Sequence, residues 1–184
     1  MDALTALHSR ISVPRVTGPV PSEEALLALF QAALRAPDHG QLRPWRFLRI
    51  EGESLQRLAD LFGAVALAES PGLSEEEIQS ARGKALRAPL IIASISCAAE
   101  HPKIPVLEQD MAAACATHAM LVAAHAQGIG AVWRTGPFAV HPLVREGLGL
   151  AAHEKIIAFL YIGQPDGPLR PLRELPVADY VKSW

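Results

Sequence analysis

Apolar residues recur along this chain with two periods, and the alternation of those periods predicts its elements. Behind Ser22, Leu26, Leu29, Phe30 and Ala33 follow at helical spacing with Glu23 and Glu24 in the first turn, which predicts a helix that must stop before Pro37. Asp2 is placed to cap a shorter helix ending near Arg10, after which Pro14, Gly18, Pro19 and Pro21 break the chain. Residues 53–68 and 74–86 read as two more helices separated by Pro71-Gly72. Trp45 to Ile50 alternates as a strand. The runs 89–97 and 156–162 are continuously apolar, as in strands buried on both faces, and Ala131 to Trp133 is a short strand. A short helix is expected over Pro142 to Gly147, and the longest one over Val106 to Gln127.

The long helix offers few polar positions on any face, so it expects burial all round, which is hard to arrange inside one small domain. The tail carries a related message. Pro165, Pro168, Pro171 and Pro176 forbid regular structure there, yet Leu169, Leu172, Leu175, Val177, Tyr180 and Trp184 are too apolar for a solvated linker. Both features point to a homodimer with the long helix at its interface and the C-terminal arm reaching across; the alternative is a tail folded back on its own subunit.

Composition narrows the function. At 184 residues, half of them apolar, the chain is long enough for one domain with a real core. A net charge of -2 gives no general attraction to nucleic acid. Cys97 and Cys115 form no Cys-x-x-Cys pair, and the N-terminus lacks the order of a signal peptide, so a reducing cytoplasm is expected. Residues 111–133 hold no charge, but Thr117, His118, His125 and Gln127 interrupt them and alanine dominates, so a buried helix is expected and no membrane span.

Several chemistries lose their support. Gly128-Ile129-Gly130 follows a helix and lacks the third glycine of a dinucleotide fingerprint, and neither a phosphate loop nor a Gly-x-Ser-x-Gly elbow is present. Cys115, His118 and His125 share a helical face without a carboxylate to support them, so no metal site is expected. What remains lies at element ends. Arg10 and Ser12 follow the first helix, and Arg134 and Thr135 follow Trp133 at a strand end; two guanidiniums and two hydroxyls suit a phosphate. The segment from Arg35 to Trp45 is dense in polar residues, with Pro37 and Gly40 fixing its turn. By propensity alone, Asp38 and His39 could equally be turn formers and Trp45 a core aromatic.

Taken in order, Arg10-Ile11-Ser12, Ala36-Pro37 leading into Pro44-Trp45, the stretch Gln127-Gly128-Ile129-Gly130-Ala131-Val132-Trp133-Arg134, and Gly163-Gln164-Pro165 resemble the nitroreductase family over nearly the whole chain. The resemblance implies an α+β fold with a central mixed sheet flanked by helices and two FMN sites at a dimer interface, each built from both subunits. It implies that Arg10, Ile11, Ser12, Trp133, Arg134 and Thr135 hold the phosphate and ribityl end of FMN, that Arg35 and His39 come from the other subunit, and that Ala123, Ala124, His125, Ala126, Gln127 and Gly128 serve the nicotinamide. The implied activity is oxidation of NADH or NADPH with electrons passed by a ping-pong route to a nitroaromatic, quinone or similar flat acceptor. A flavin carrier or sensor without turnover is the rival. Two departures stand out: Ile11 occupies a position where the family usually has arginine, and residues 38–43 differ from the common Ser-Ser-x-Asn-x-Gln.

Overall fold

Strand β3 (Leu90–Ser96), buried at every position, is the spine of the molecule. In the computed structural model, which describes residues 1–184, β3 pairs on one side with β2 (Trp45–Glu51) and on the other with the long β5 (Lys155–Pro165). The far edge of β5 takes β4 (Gly130–Arg134) and then the two-residue β1 (Val16–Thr17). Every pairing is antiparallel, which corrects the expected mixed sheet.

The connections explain this. Two helices, α3 (Glu53–Glu69) and α4 (Glu75–Gly83), link β2 to β3, and two more, α6 (Pro137–Val140) and α7 (Pro142–Gly147), link β4 to β5. Each helical pair returns the chain to the end it left, so the next strand runs the other way. A single helix, α5 (Val106–Ala126), carries β3 to β4, which therefore run in the same direction, separated by β5.

Local chemistry sets the helix ends. Asp2 accepts from the backbone N–H groups of Leu4 and Thr5 to open α1 (Ala3–Ser9), and Ser22 accepts from Ala25 to open α2 (Glu23–Ala33). Ser74 and Glu77 form a reciprocal capping box on α4. β1, α6 and the 3-10 turns at His39–Gln41 and Lys84–Leu86 are too short to show in the periodicity.

Side chains alternate across the sheet into two cores. Leu90, Ile92, Leu160 and Ile162 face α2 and α5, while Ile91, Ala93, Phe159 and Tyr161 face α3, α6 and α7. The register slips at Ile157, where Ser94 pairs with Ala158 but Ile95 with Ile156; one extra residue bends the strand there.

Two sequence expectations concern surfaces that are exposed in the single chain. α5 is not buried all round: Leu107, Met111, Cys115 and His118 form an exposed row along its outer face. The arm beyond β5 does not fold back on its own subunit. Its root is held where the Asp166 N–H donates to the Arg15 carbonyl at 3.1 Å, and Leu172, Leu175, Tyr180 and Trp184 then lie exposed. No helix is long and apolar enough to cross a membrane.

Candidate active site

The linker leaving α1 runs beside β4, with the Val13 N–H donating to the Ala131 carbonyl at 2.9 Å. That contact brings residues 12–15 to the end of β4, where Arg134 closes the strand. A cavity of about 570 Å³ opens there, lined by Ser12, Arg15, Arg87, Arg134, Asp166 and Arg170 among others. Arg134 donates through Nη2 to the Pro14 carbonyl at 3.3 Å and lies 5.5 Å from the centre of the Tyr161 ring. Its Nε is buried and has no partner. An unpaired buried N–H costs about 1–3 kcal/mol, and Arg145 Nε, away from this cavity, is in the same condition.

The cavity is strongly cationic. None of its four arginines takes part in the ion pairs of the chain, which engage Arg46, Arg49 and Arg82 instead. Burial pushes the Tyr161 phenol up, and the guanidiniums of Arg134 and Arg87 counter that rise. Four guanidiniums face a single carboxylate, Asp166, so the cavity keeps a positive excess that a bound anion offsets.

Of the residues expected at a phosphate, the cavity brings together Ser12 and Arg134. Arg10 caps α1 through its backbone, with its N–H donating to the Ala6 carbonyl, and is half-buried. Ile11 packs against the core on the α3 side of the sheet. Trp133 packs on the α5 side, as alternation along β4 requires once Arg134 faces the cavity, and Thr135 is exposed beyond the strand end. Arg15, Arg87 and Arg170 complete the cavity, and sequence reasoning missed them because they are isolated surface-type arginines in three separate segments.

The turn from Arg35 to Trp45 lies on the opposite side of the sheet, at the end of α2. Asp38 organises it by accepting from the Arg43 N–H at 2.6 Å. Gly40, Gln41 and Arg43 all have positive φ, of 73°, 55° and 51°. For the two non-glycine residues this is a strained conformation of the kind that concentrates at functional sites. His39 Nδ1 meets Glu108 Oε2 of α5 at 2.7 Å, a contact that the sequence does not reveal. Trp45 is a core residue beneath the turn. Arg35 is exposed and borders a groove of about 640 Å³ between α1, the end of α2 and α5, lined by Leu7, His118, Val122, Ala123 and Ala126.

The stretch from Ala123 to Gly128 divides. Ala123 and Ala126 line that groove, whereas Ala124 is buried in the core. His125 Nε2 is 2.9 Å from Ser9 Oγ, tying α5 to α1. Gln127 donates to the Ala123 carbonyl at 3.1 Å, and Gly128, with φ 73°, ends the helix in the left-handed conformation. None of the five main cavities of the single chain contains both the Arg134 set and the Arg35 set.

This architecture has known counterparts. A nitroreductase-like family protein of Bacillus cereus superposes with a TM-score of 0.81 at 25% identity, covering 98% of this chain and 94% of that one. A nitroreductase of Bacteroides fragilis, solved with bound FMN, shares the fold with a TM-score of 0.73 at 20% identity, covering 98% and 97% of the two chains. In sequence, YdjA of Escherichia coli strain K12, which carries the name "Putative NAD(P)H nitroreductase", is 42% identical over 165 residues, or 90% of this chain and 89% of YdjA. A Haemophilus influenzae protein with the same descriptive name is 38% identical over 180 residues, covering 97% and 96%. The Nitroreductase family model matches residues 9–164, a span that runs from the end of α1 nearly to the end of β5. The chain belongs to the nitroreductase family.

Proposed function

We propose that this protein is an FMN-dependent oxidoreductase that takes hydride from NADH or NADPH and delivers electrons to a nitroaromatic, quinone or similar flat acceptor. The observation that carries the reading is the cavity at the end of β4 ringed by four arginines free of ion pairs, Arg134 among them. A phosphate monoester supplies the acceptor oxygens and the charge that this cavity needs. The residues present therefore fit the phosphate end of FMN. Arg134 and Ser12 bind it, with Arg10 and Thr135 beside the ribityl chain and Ile11 and Trp133, whose side chains pack into the two cores, contributing through their backbone.

FMN, once bound, supplies the redox chemistry by accepting hydride and passing electrons on. The chain's own part is positioning and electrostatics. Arg35 and His39 lie across the sheet from the cavity, so they serve a cofactor held by the Arg134 set of a second copy, and the working unit is a homodimer. In that assembly the exposed row on α5 and the apolar arm become buried, which removes exposed apolar surface of the single chain. Arg35 presents a permanent positive charge and Glu108 orients His39 through Nδ1, leaving Nε2 for the bound molecule. Ala123 and Ala126, lining the groove beside Arg35, offer an apolar floor for a nicotinamide or a flat acceptor.

The test is oxidation of NADH and NADPH by purified, FMN-loaded protein with a nitroaromatic and with a quinone. Acceptor-dependent oxidation of either nicotinamide is the expected result. A protein that binds FMN yet leaves both nicotinamides unoxidised contradicts the reading and identifies a flavin carrier.

A further inference from the structure

In the segment from Arg10 to Ser12 the usual second arginine of the family is Ile11, and its side chain is packed against the core on the α3 side, where it offers nothing to an anion. The cavity nevertheless has no shortage of positive charge, because Arg87 stands in its wall. This residue follows the 3-10 turn Lys84–Leu86 and precedes β3, a stiff junction. Ala88 is buried beside it, and a Cβ on Gly163 would meet the Pro89 ring at 2.9 Å, so Pro89 and β5 are in close contact. The Arg87 side chain is exposed toward the cavity and has no carboxylate partner in the chain. Arg87 and Arg134 line the same cavity, on the side of the sheet where Arg134 lies over the Tyr161 ring.

We infer that Arg87 is a phosphate-binding residue for the cofactor, supplying from the α4–β3 junction the positive charge that Ile11 cannot supply from the N-terminal segment. This rests on the FMN reading proposed above and adds to it a residue far away in sequence. Arg134 is half-buried and fixed by Pro14, so it contributes a rigid donor. Arg87 lines the same cavity from a separate segment, so a phosphate bound there is held by two forks of donors rather than one.

The experiment compares FMN with riboflavin, which has the same ring system and no phosphate, by fluorescence titration of apoprotein. In the wild type FMN binds more tightly than riboflavin. Arg87→Ala is expected to weaken FMN by about ten- to a hundredfold, as for loss of a charged hydrogen bond, and to leave riboflavin unchanged. Arg87→Lys should recover part of the loss, and the salt dependence of FMN binding should become shallower in Arg87→Ala. The exposed side chain can be removed without opening a core cavity, and a melting curve without ligand checks this. FMN affinity equal to wild type in Arg87→Ala overturns the inference and leaves the proposed function standing. Equal weakening of FMN and riboflavin also overturns it, since the effect then has nothing to do with phosphate. If the wild type binds neither flavin, the proposed function fails instead. Inorganic phosphate then decides the site: Arg87-dependent thermal stabilisation supports it, and none removes it.

Discussion

Arg46 of β2 and Glu154, just before β5, meet in a two-point ion pair, Nε to Oε1 at 2.6 Å and Nη2 to Oε2 at 2.7 Å. Glu154 also accepts from the Ala151 N–H at 2.8 Å and from the Cys97 thiol at 3.2 Å, so one carboxylate joins three segments. The Arg46 guanidinium holds its carboxyl far below the usual carboxylate range, at about 2, and burial with the adjoining carboxylate pushes the Cys97 thiol up to about 11. A carboxyl depressed in the folded state stabilises above its unfolded value, near 4.5, and that stability is lost as the pH falls through this value toward 2.

Glu154→Gln should therefore destabilise the protein by about 2–3 kcal/mol at neutral pH, below the range for fully buried pairs because Arg46 keeps a third of its side chain exposed. Chemical denaturation at pH 7 and pH 3 checks this. The variant should lose less stability than the wild type between those two conditions, and a parallel loss would show that another group governs acid unfolding.

Cysteine reactivity reports the assembly. Cys97, with its thiol held protonated, should resist alkylation at neutral pH whenever the protein is folded. Cys115 lies on the outer face of α5, which the proposed dimer covers. It should be protected at concentrations where light scattering gives twice the 19.7 kDa chain mass, and react on dilution or after Met111→Asp. Rapid labelling of Cys115 in a stable dimer would place the interface elsewhere.

Much of this was legible in the sequence, and the losses have physical causes. α2 announces itself because its Ser22 cap, its apolar spacing and the following Pro37 agree within one segment. α5 and α7 are legible from the prolines that precede or open them and the glycines at their ends. Arg134 was legible because it closes a predicted strand beside an expected phosphate segment. Arg87 and Arg170 were not, since their meaning lies in which loops meet at the end of β5, a tertiary fact without local periodicity. The same holds for Glu108, whose link to His39 spans 69 positions. Strand direction was misjudged because it depends on which end of the sheet each connection returns to, a tertiary fact that strand composition does not carry.

Arg134→Ala should weaken FMN by about 1.5–3 kcal/mol, roughly ten- to a hundredfold, through loss of a charged phosphate contact. Fluorescence titration reads this directly. Unchanged affinity would remove Arg134 from the phosphate site and leave its buried Nε without a role.

Arg35 should act on the ring end instead. Arg35→Ala is expected to keep FMN occupancy largely intact while making the bound flavin harder to reduce, seen as a more negative midpoint potential, because a positive charge beside the ring favours the reduced, anionic form. A potential that rises would exclude that role, and a wild-type value in Arg35→Ala would leave His39 as the remaining candidate.

The central claim is tested most directly by following the visible spectrum of the FMN-loaded protein under anaerobic conditions, first on adding NADH or NADPH and then on adding a quinone. The account predicts loss of the yellow colour with at least one nicotinamide and its return with the quinone. Protein that ignores added FMN, or that stays yellow with both nicotinamides, would contradict it.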